Sequence, residues 1–293
     1  MVSLAALKFG DVLAEHGGPI DRVDVGELPV LGAAQCLANA YLCAGLSVDS
    51  AAGALFGAAD GTGVAATSGA ASHEAIAEAL ERWAYLAVLD SPAGGRCGFR
   101  EDRSSSGMAA FPGLFRRQAQ GLARAKALER YALVSWWDGR LPAERIATPY
   151  PGIESVRLHH DAGPGEVVIL FRRTRAGYAY GHAYGLTLAA AIRRAAVGLA
   201  RAEHVLAAHR ACGALALPAN FLERRVLHFA SEAGAERFGR RLLAAPGKAA
   251  RPFRLVFDGE IPGPWSRWAT VWRCCAQMPT TEHLDPDSDF FFW

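Results

Sequence analysis

The tetrapeptide Ala-Leu-Glu-Arg occurs twice, at 79–82 and 127–130, each time followed by an aromatic residue and an alanine. Both copies lie in long alanine-rich stretches, and alanine is the strongest helix former. A Glu-Arg pair repeated in such apolar surroundings points to two equivalent helices aiming charge at one place. Any fold for this chain has to provide partners for those charges.

The 293 residues include 31 glycines and 15 prolines, which divide the chain into segments. The pattern predicts a Gly-, Ala- and Thr-rich loop at 57–69, a helix over about 70–90 and a breaker-rich surface loop at 91–113. A second helix follows over about 114–137. Short β-branched or aromatic runs predict strands at 166–173 and 178–184. A third helix is expected over 187–211, with Thr187 helping to start it, and two shorter helices over 218–243, split near Gly234. Late strands are expected at 253–257 and 270–276. The small apolar stretch 30–56 reads as a buried helix and a turn, with Cys36 and Cys43 in the core. Together these predict an α+β fold, a mixed β-sheet with packed long helices, in one compound domain over 1–293. A mobile loop at 91–113 and an aromatic tail at 285–293 complete it. That tail either tucks onto the body or occupies a partner's pocket.

Composition narrows the function. A formal net charge of +2, from 31 basic against 29 acidic residues, provides no electrostatic footprint for nucleic acid or an anionic membrane. No apolar run is long enough to cross a bilayer. The amino terminus reads as mature sequence rather than a signal peptide. Six scattered cysteines without a Cys-x-x-Cys pair fit a reduced, cytoplasmic protein. His159-His160-Asp161 reads as a turn rather than a metal corner.

Glu74, Glu78 and Glu81 follow i, i+4, i+7 and fall within about 60° on one helical face. Like charges so spaced repel by roughly 0.2–0.5 kcal/mol when exposed, and more when desolvated. The stripe is therefore either the solvent side of an amphipathic helix or a cluster held by cations. Arg82 lies beside it. The second copy, with Lys126, Glu129 and Arg130 among apolar residues, favours the cluster.

These motifs resemble the YcaO family, whose members activate peptide backbone amides with ATP and magnesium. The first family signature is similar to Gly61-Thr62-Gly63 followed by Glu74, Glu78, Glu81, Arg82 and Trp83. The second resembles Lys126-x-x-Glu129-Arg130-Tyr131-Ala132 with Trp136-Trp137. The third resembles Arg194-Ala195-x-x-Gly198-x-x-Arg201 after Gly181-His182-Ala183. The resemblance implies that Glu78, Glu81 and Glu129 are magnesium ligands bridging to nucleotide phosphates. It implies that Arg82, Arg130 and Arg194 orient those ligands or the phosphates, with Lys126 and Arg201 in the same site. The family chemistry is attack on a peptide carbonyl by a Cys, Ser or Thr side chain or by an external sulfur donor. ATP then phosphorylates the oxyanion so that oxygen leaves.

The chain departs from the family pattern at named positions. Glu74 replaces a serine, Lys126 a metal-ligand glutamate, Gly198 a glutamate and Arg201 a glutamine. Asp-Phe-Phe-Phe-Trp stands where many members carry a proline-rich terminus. Losing two carboxylates and gaining Lys126 and Arg201 shifts the cluster by about four positive charges, with Glu74 an extra acid that offsets part of it; such a cluster can be neutralised by the protein itself. Three functions follow. One is a component that supports or performs azoline heterocyclisation or thioamidation of a ribosomally made peptide with ATP and magnesium. The second is an inactive YcaO-like scaffold binding a peptide or an active partner, as a homodimer or in a hetero-complex. The third is an unrelated protein whose Glu-Arg repeats are structural ion pairs.

Overall fold

The computed structural model describes residues 9–46, 59–112, 116–175, 177–211, 221–285, 288, 290 and 291. They form two compact units that the chain visits in turn. The first takes its described residues from 9–46, 59–127 and 255–276, the second from 128–254 and 277–291.

In the first unit, strands β1 (Ile20–Val30), β2 (Ala33–Leu42) and β3 (Gly61–Ala65) form an antiparallel sheet in that order. A second sheet has the order β4 (Met108–Pro112), β10 (Ala269–Ala276), β9 (Leu255–Glu260), also antiparallel. Helix α1 (Ser68–Leu89) shares one core with both: Ala75, Ile76, Ala79, Leu80 and Trp83 pack with Ala38, Ala40, Ala110 and Val271. The opposite face of the second sheet, with Ala109, Trp272 and Cys274, meets Ala119, Ala123 and Ala127 of helix α2 (Arg116–Trp137). All eight residues of β10 are buried, as a strand covered on both faces requires.

The expected buried helix in 30–56 is a β-hairpin where it is described, and residues 47–56 lie outside the described residues. Cys36, Ala38, Ala40 and Leu42 alternate inward with period two, a rhythm that alanine disguises as helix. The Gly-rich segment 57–69 contains β3 and the helix cap rather than a loop alone. The breaker-rich stretch 91–113 contains a short 3-10 turn, Gly94–Cys97, and β4.

The second unit is built on a four-stranded antiparallel sheet of order β5 (Ala143–Arg145), β6 (Glu154–Leu158), β7 (Glu166–Arg173), β8 (Tyr178–Gly185). Helix α3 (Leu188–Ala211) packs on β7 and β8. An aromatic cluster gathers Trp136 and Trp137 of α2, Phe171 of β7, Tyr180 of β8, Phe229 of α4 (Phe221–Phe229) and Phe238 of α5 (Glu232–Leu243). The helix break falls at Ala230-Ser231, with Ser231 as N-cap, not near Gly234. Phe291 sits inside this cluster, 0% exposed, 4.8 Å from both Tyr180 and Phe238. Arg225 holds the segment before it through the carbonyls of His283, Asp285 and Ser288, at 2.9, 2.7 and 3.1 Å. Phe290 and Phe291 therefore tuck inward; Phe292 and Trp293 lie outside the described residues.

Both units seat a helix on a glycine strand. A Cβ on Gly61 would stand 2.1 Å from the Ala75 carbonyl oxygen, and one on Gly181 would stand 2.1 Å from the Leu199 nitrogen. Thr67 caps α1 through the Ala70 N–H at 3.3 Å, and Thr187 caps α3 through the Ala190 N–H at 3.2 Å. The helices with equivalent surroundings are thus α1 and α3, not the two that carry the repeated tetrapeptide.

Gly61→Ala and Gly181→Ala should each cost about 1–3 kcal/mol by overpacking. Gly198→Ala, whose Cβ would make ordinary contact at 3.4 Å, should be neutral or stabilising by roughly 0.5–1 kcal/mol. Denaturant unfolding of the three variants separates these outcomes. Phe291→Ala should cost about 3–5 kcal/mol in the same measurement.

Candidate functional site

A strand at the edge of a sheet presents every second N–H to whatever lies beside it. β3 is such an edge, and α1 lies along it. The Thr62 N–H donates to Glu78 Oε2 at 3.1 Å and the Val64 N–H to Glu74 Oε2 at 3.2 Å. The match is geometric: carboxylates at i, i+4 recur about every 6 Å along a helix, and N–H groups on one strand edge about every 6.8 Å. Glu74 and Glu78 are otherwise exposed.

Glu81 is buried at 8% exposure and caps a second edge. Its Oε1 accepts the Ala110 N–H of β4 at 3.0 Å. Its Oε2 accepts from Lys126 Nζ at 2.7 Å. Burial pushes the Glu81 carboxyl above its ordinary value, and neighbouring Glu78 adds to the rise; Lys126 and the Ala110 N–H pull against it. Arg82 pairs with Asp60 at 3.5 Å. Asp60, buried at 9% exposure, also accepts the Leu42 N–H at 2.8 Å.

Glu129 repeats the arrangement in the second unit. Its Oε2 accepts the Tyr184 N–H of edge strand β8 at 2.8 Å, and its Oε1 meets His182 Nδ1 at 2.7 Å. An ionised carboxylate only accepts, so with Glu129 ionised, Nδ1 carries the proton. Arg194 donates to the Tyr184 carbonyl at 3.2 Å. Arg130 is buried at 7% exposure, and Arg201 is half-buried on α3. The two tetrapeptide glutamates thus do the same work: one oxygen holds an edge-strand N–H, the other a nitrogen side chain.

No family model and no curated protein matches the sequence. Solved structures do match. YcaO from Methanopyrus kandleri, bound with AMPPCP and Mg2+, has a TM-score of 0.55 at 12% identity, over 92% of this chain and 88% of that one. The fold is YcaO-like. The E. coli microcin synthetase McbBCD complex with pro-MccB17 bound gives a TM-score of 0.44 at 12% identity, over 62% of this chain and 56% of that one.

In this YcaO-like chain the singled-out residues divide between the units. Glu78, Glu81, Arg82 and Lys126 belong to the first, and Glu129, Arg130, Arg194 and Arg201 to the second. Among the described residues, no group of three or more His, Cys, Asp or Glu is arranged to hold a metal ion. His159 stands 3.1 Å from Glu144, in the turn between β6 and β7. Sequence reasoning missed Asp60 and the part played by His182. A lone acid just before Gly61 was the only sign of the first; for the second there was none, since its partner lies 53 positions away.

The raised Glu81 carboxyl has a definite consequence for pH. Its contribution to stability is fully present below the unfolded value, 4.5 for an ordinary glutamate, and is lost as pH rises through the higher folded value. Wild type should therefore lose stability toward neutral pH relative to Glu81→Gln. Lys126→Met should steepen that loss and cost about 1–3 kcal/mol at neutrality. Thermal unfolding across pH measures both.

Proposed function

We propose that this protein is a YcaO-fold component of machinery that modifies the backbone of a ribosomally made peptide. In this reading it holds the peptide or an active partner subunit and does not run magnesium-nucleotide chemistry of its own. The Lys126 ammonium, 2.7 Å from Glu81 Oε2, carries the reading. Lys126 stands where the family pattern has a metal-ligand glutamate, so a positive charge already occupies the acid that would bind magnesium. Magnesium requires near-ideal octahedral oxygen coordination. Both oxygens of Glu81 and both of Glu129 already accept from nitrogen donors. With an ammonium on Glu81 and, among the described residues, no group of three His, Cys, Asp or Glu gathered for an ion, this set does not fit the metal, and no catalytic step is routed through it. Arg201 and Gly198 remove further acceptor character from α3. The five free cysteines among the described residues are consistent with a reducing, cytoplasmic setting.

A second reading keeps the chain active, as a cyclodehydratase or thioamide-forming enzyme with ATP and magnesium. Exposed Glu78 favours it, as does the nucleotide and metal bound to the Methanopyrus kandleri YcaO.

Calorimetric titration with AMPPCP and Mg2+ separates the two. The scaffold reading expects no binding at millimolar nucleotide. Magnesium-dependent binding that disappears in Glu81→Ala and Glu129→Ala would establish the active reading instead. Combining Lys126→Glu, Gly198→Glu and Arg201→Gln, which restores the acids and the amide of the family pattern, should create magnesium-dependent nucleotide binding. Unchanged affinity in that variant would count against Lys126 as a substitute cation.

A further inference from the structure

Helix α3 has two unlike faces. Ala191, Ile192, Ala195, Leu199 and Leu206 are buried, on the side where Gly181 and Gly185 of β8 meet the helix backbone. At about 100° per residue, Arg193, Arg194, Arg201 and His204 fall together on the opposite side. Arg193, Arg194 and His204 are exposed and Arg201 is half-buried. The only acid on the helix, Glu203, is tied to Arg172 at 2.9 Å.

Several arginines elsewhere in this unit have acidic partners. Arg140 meets Asp138 at 2.6 Å, Arg157 meets Glu166 at 2.7 Å, and Arg240 meets Glu236 at 3.1 Å. Arg225 is spent on the tail carbonyls. Among the described residues, Arg193, Arg201 and His204 have no acidic partner, and Arg194 holds only the Tyr184 carbonyl. Side-by-side cations without counter-ions repel, so this stripe lowers the stability of the free protein and favours an anionic occupant.

We infer that the outer face of α3 binds an acidic segment of a peptide, carboxylate to guanidinium, without a metal. The inference rests on the peptide-holding reading above and names the chemistry of what is held. From Arg193 to His204 the stripe is roughly 16 Å long, which an extended peptide spans with about five residues. Side chains alternate along such a peptide, so acids at every second position would meet the stripe. Arginine suits the task because its planar fork pairs with both oxygens of a carboxylate. A formal net charge of only +2 over the chain provides no broad basic field of the kind that nucleic acid or an anionic membrane engages.

Fluorescence anisotropy with a labelled glutamate-rich peptide tests this on the full chain. Its glutamine-for-glutamate counterpart and inorganic tripolyphosphate serve as comparisons. The glutamate peptide should bind, the glutamine peptide should not, and added salt should weaken binding. Arg193→Gln combined with Arg201→Gln should weaken it about tenfold, while Arg240→Gln, removing a paired arginine, should leave it unchanged. Equal binding of the two peptides, or full binding by the double variant, would overturn the inference. So would tripolyphosphate displacing the peptide at lower concentration with the same variant dependence, which would make the face a phosphate site. Absence of peptide binding in a protein that also ignores Mg2+ and AMPPCP overturns only this inference; binding of Mg2+ and AMPPCP overturns the reading beneath it.

Discussion

An edge strand beside a helix leaves its outward N–H groups without a strand partner, and burying such groups unpaired is costly. Here four glutamates meet that demand: Glu74 and Glu78 on β3, Glu81 on β4 and Glu129 on β8. Each helix thereby serves as the missing neighbour of a sheet, with carboxylates in place of backbone carbonyls. Alanine and glycine at the contacts allow the close approach that the short carboxylate side chains require. The acidic stripe and the small-residue composition are two parts of one solution.

That solution decides what the charges can do. A carboxylate that already carries an ammonium has its charge balanced within the protein. Lys126 on Glu81 and His182 on Glu129 provide the second donor in each unit. Both acids thereby hold strand edges in place. The arginines of α3 stand on its outer face, away from the side buried on β8.

The long helices, the strands at β7 and β8 and the charge stripe were legible in the residues. Their signals are local: alanine runs, a 3.6-residue rhythm and flanking glycines. The β1–β2 hairpin was not, because alanine and cysteine on a period of two look equally at home in a helix. The short strands β4, β5 and β6 hold too few residues to show a rhythm. The repeated tetrapeptide marked two glutamates with the same local role, yet α1 found its true counterpart in α3, through the glycine strands that precede both.

The sequence by itself determined which helices form and which face of α1 is acidic. These follow from propensity and periodicity within a single segment. Only the tertiary structure decided what each charge touches. Ala110 is 29 positions from Glu81, Lys126 is 45, and Tyr184 is 55 from Glu129. Such partners are chosen by how sheets and helices pack, and packing depends on the whole chain at once.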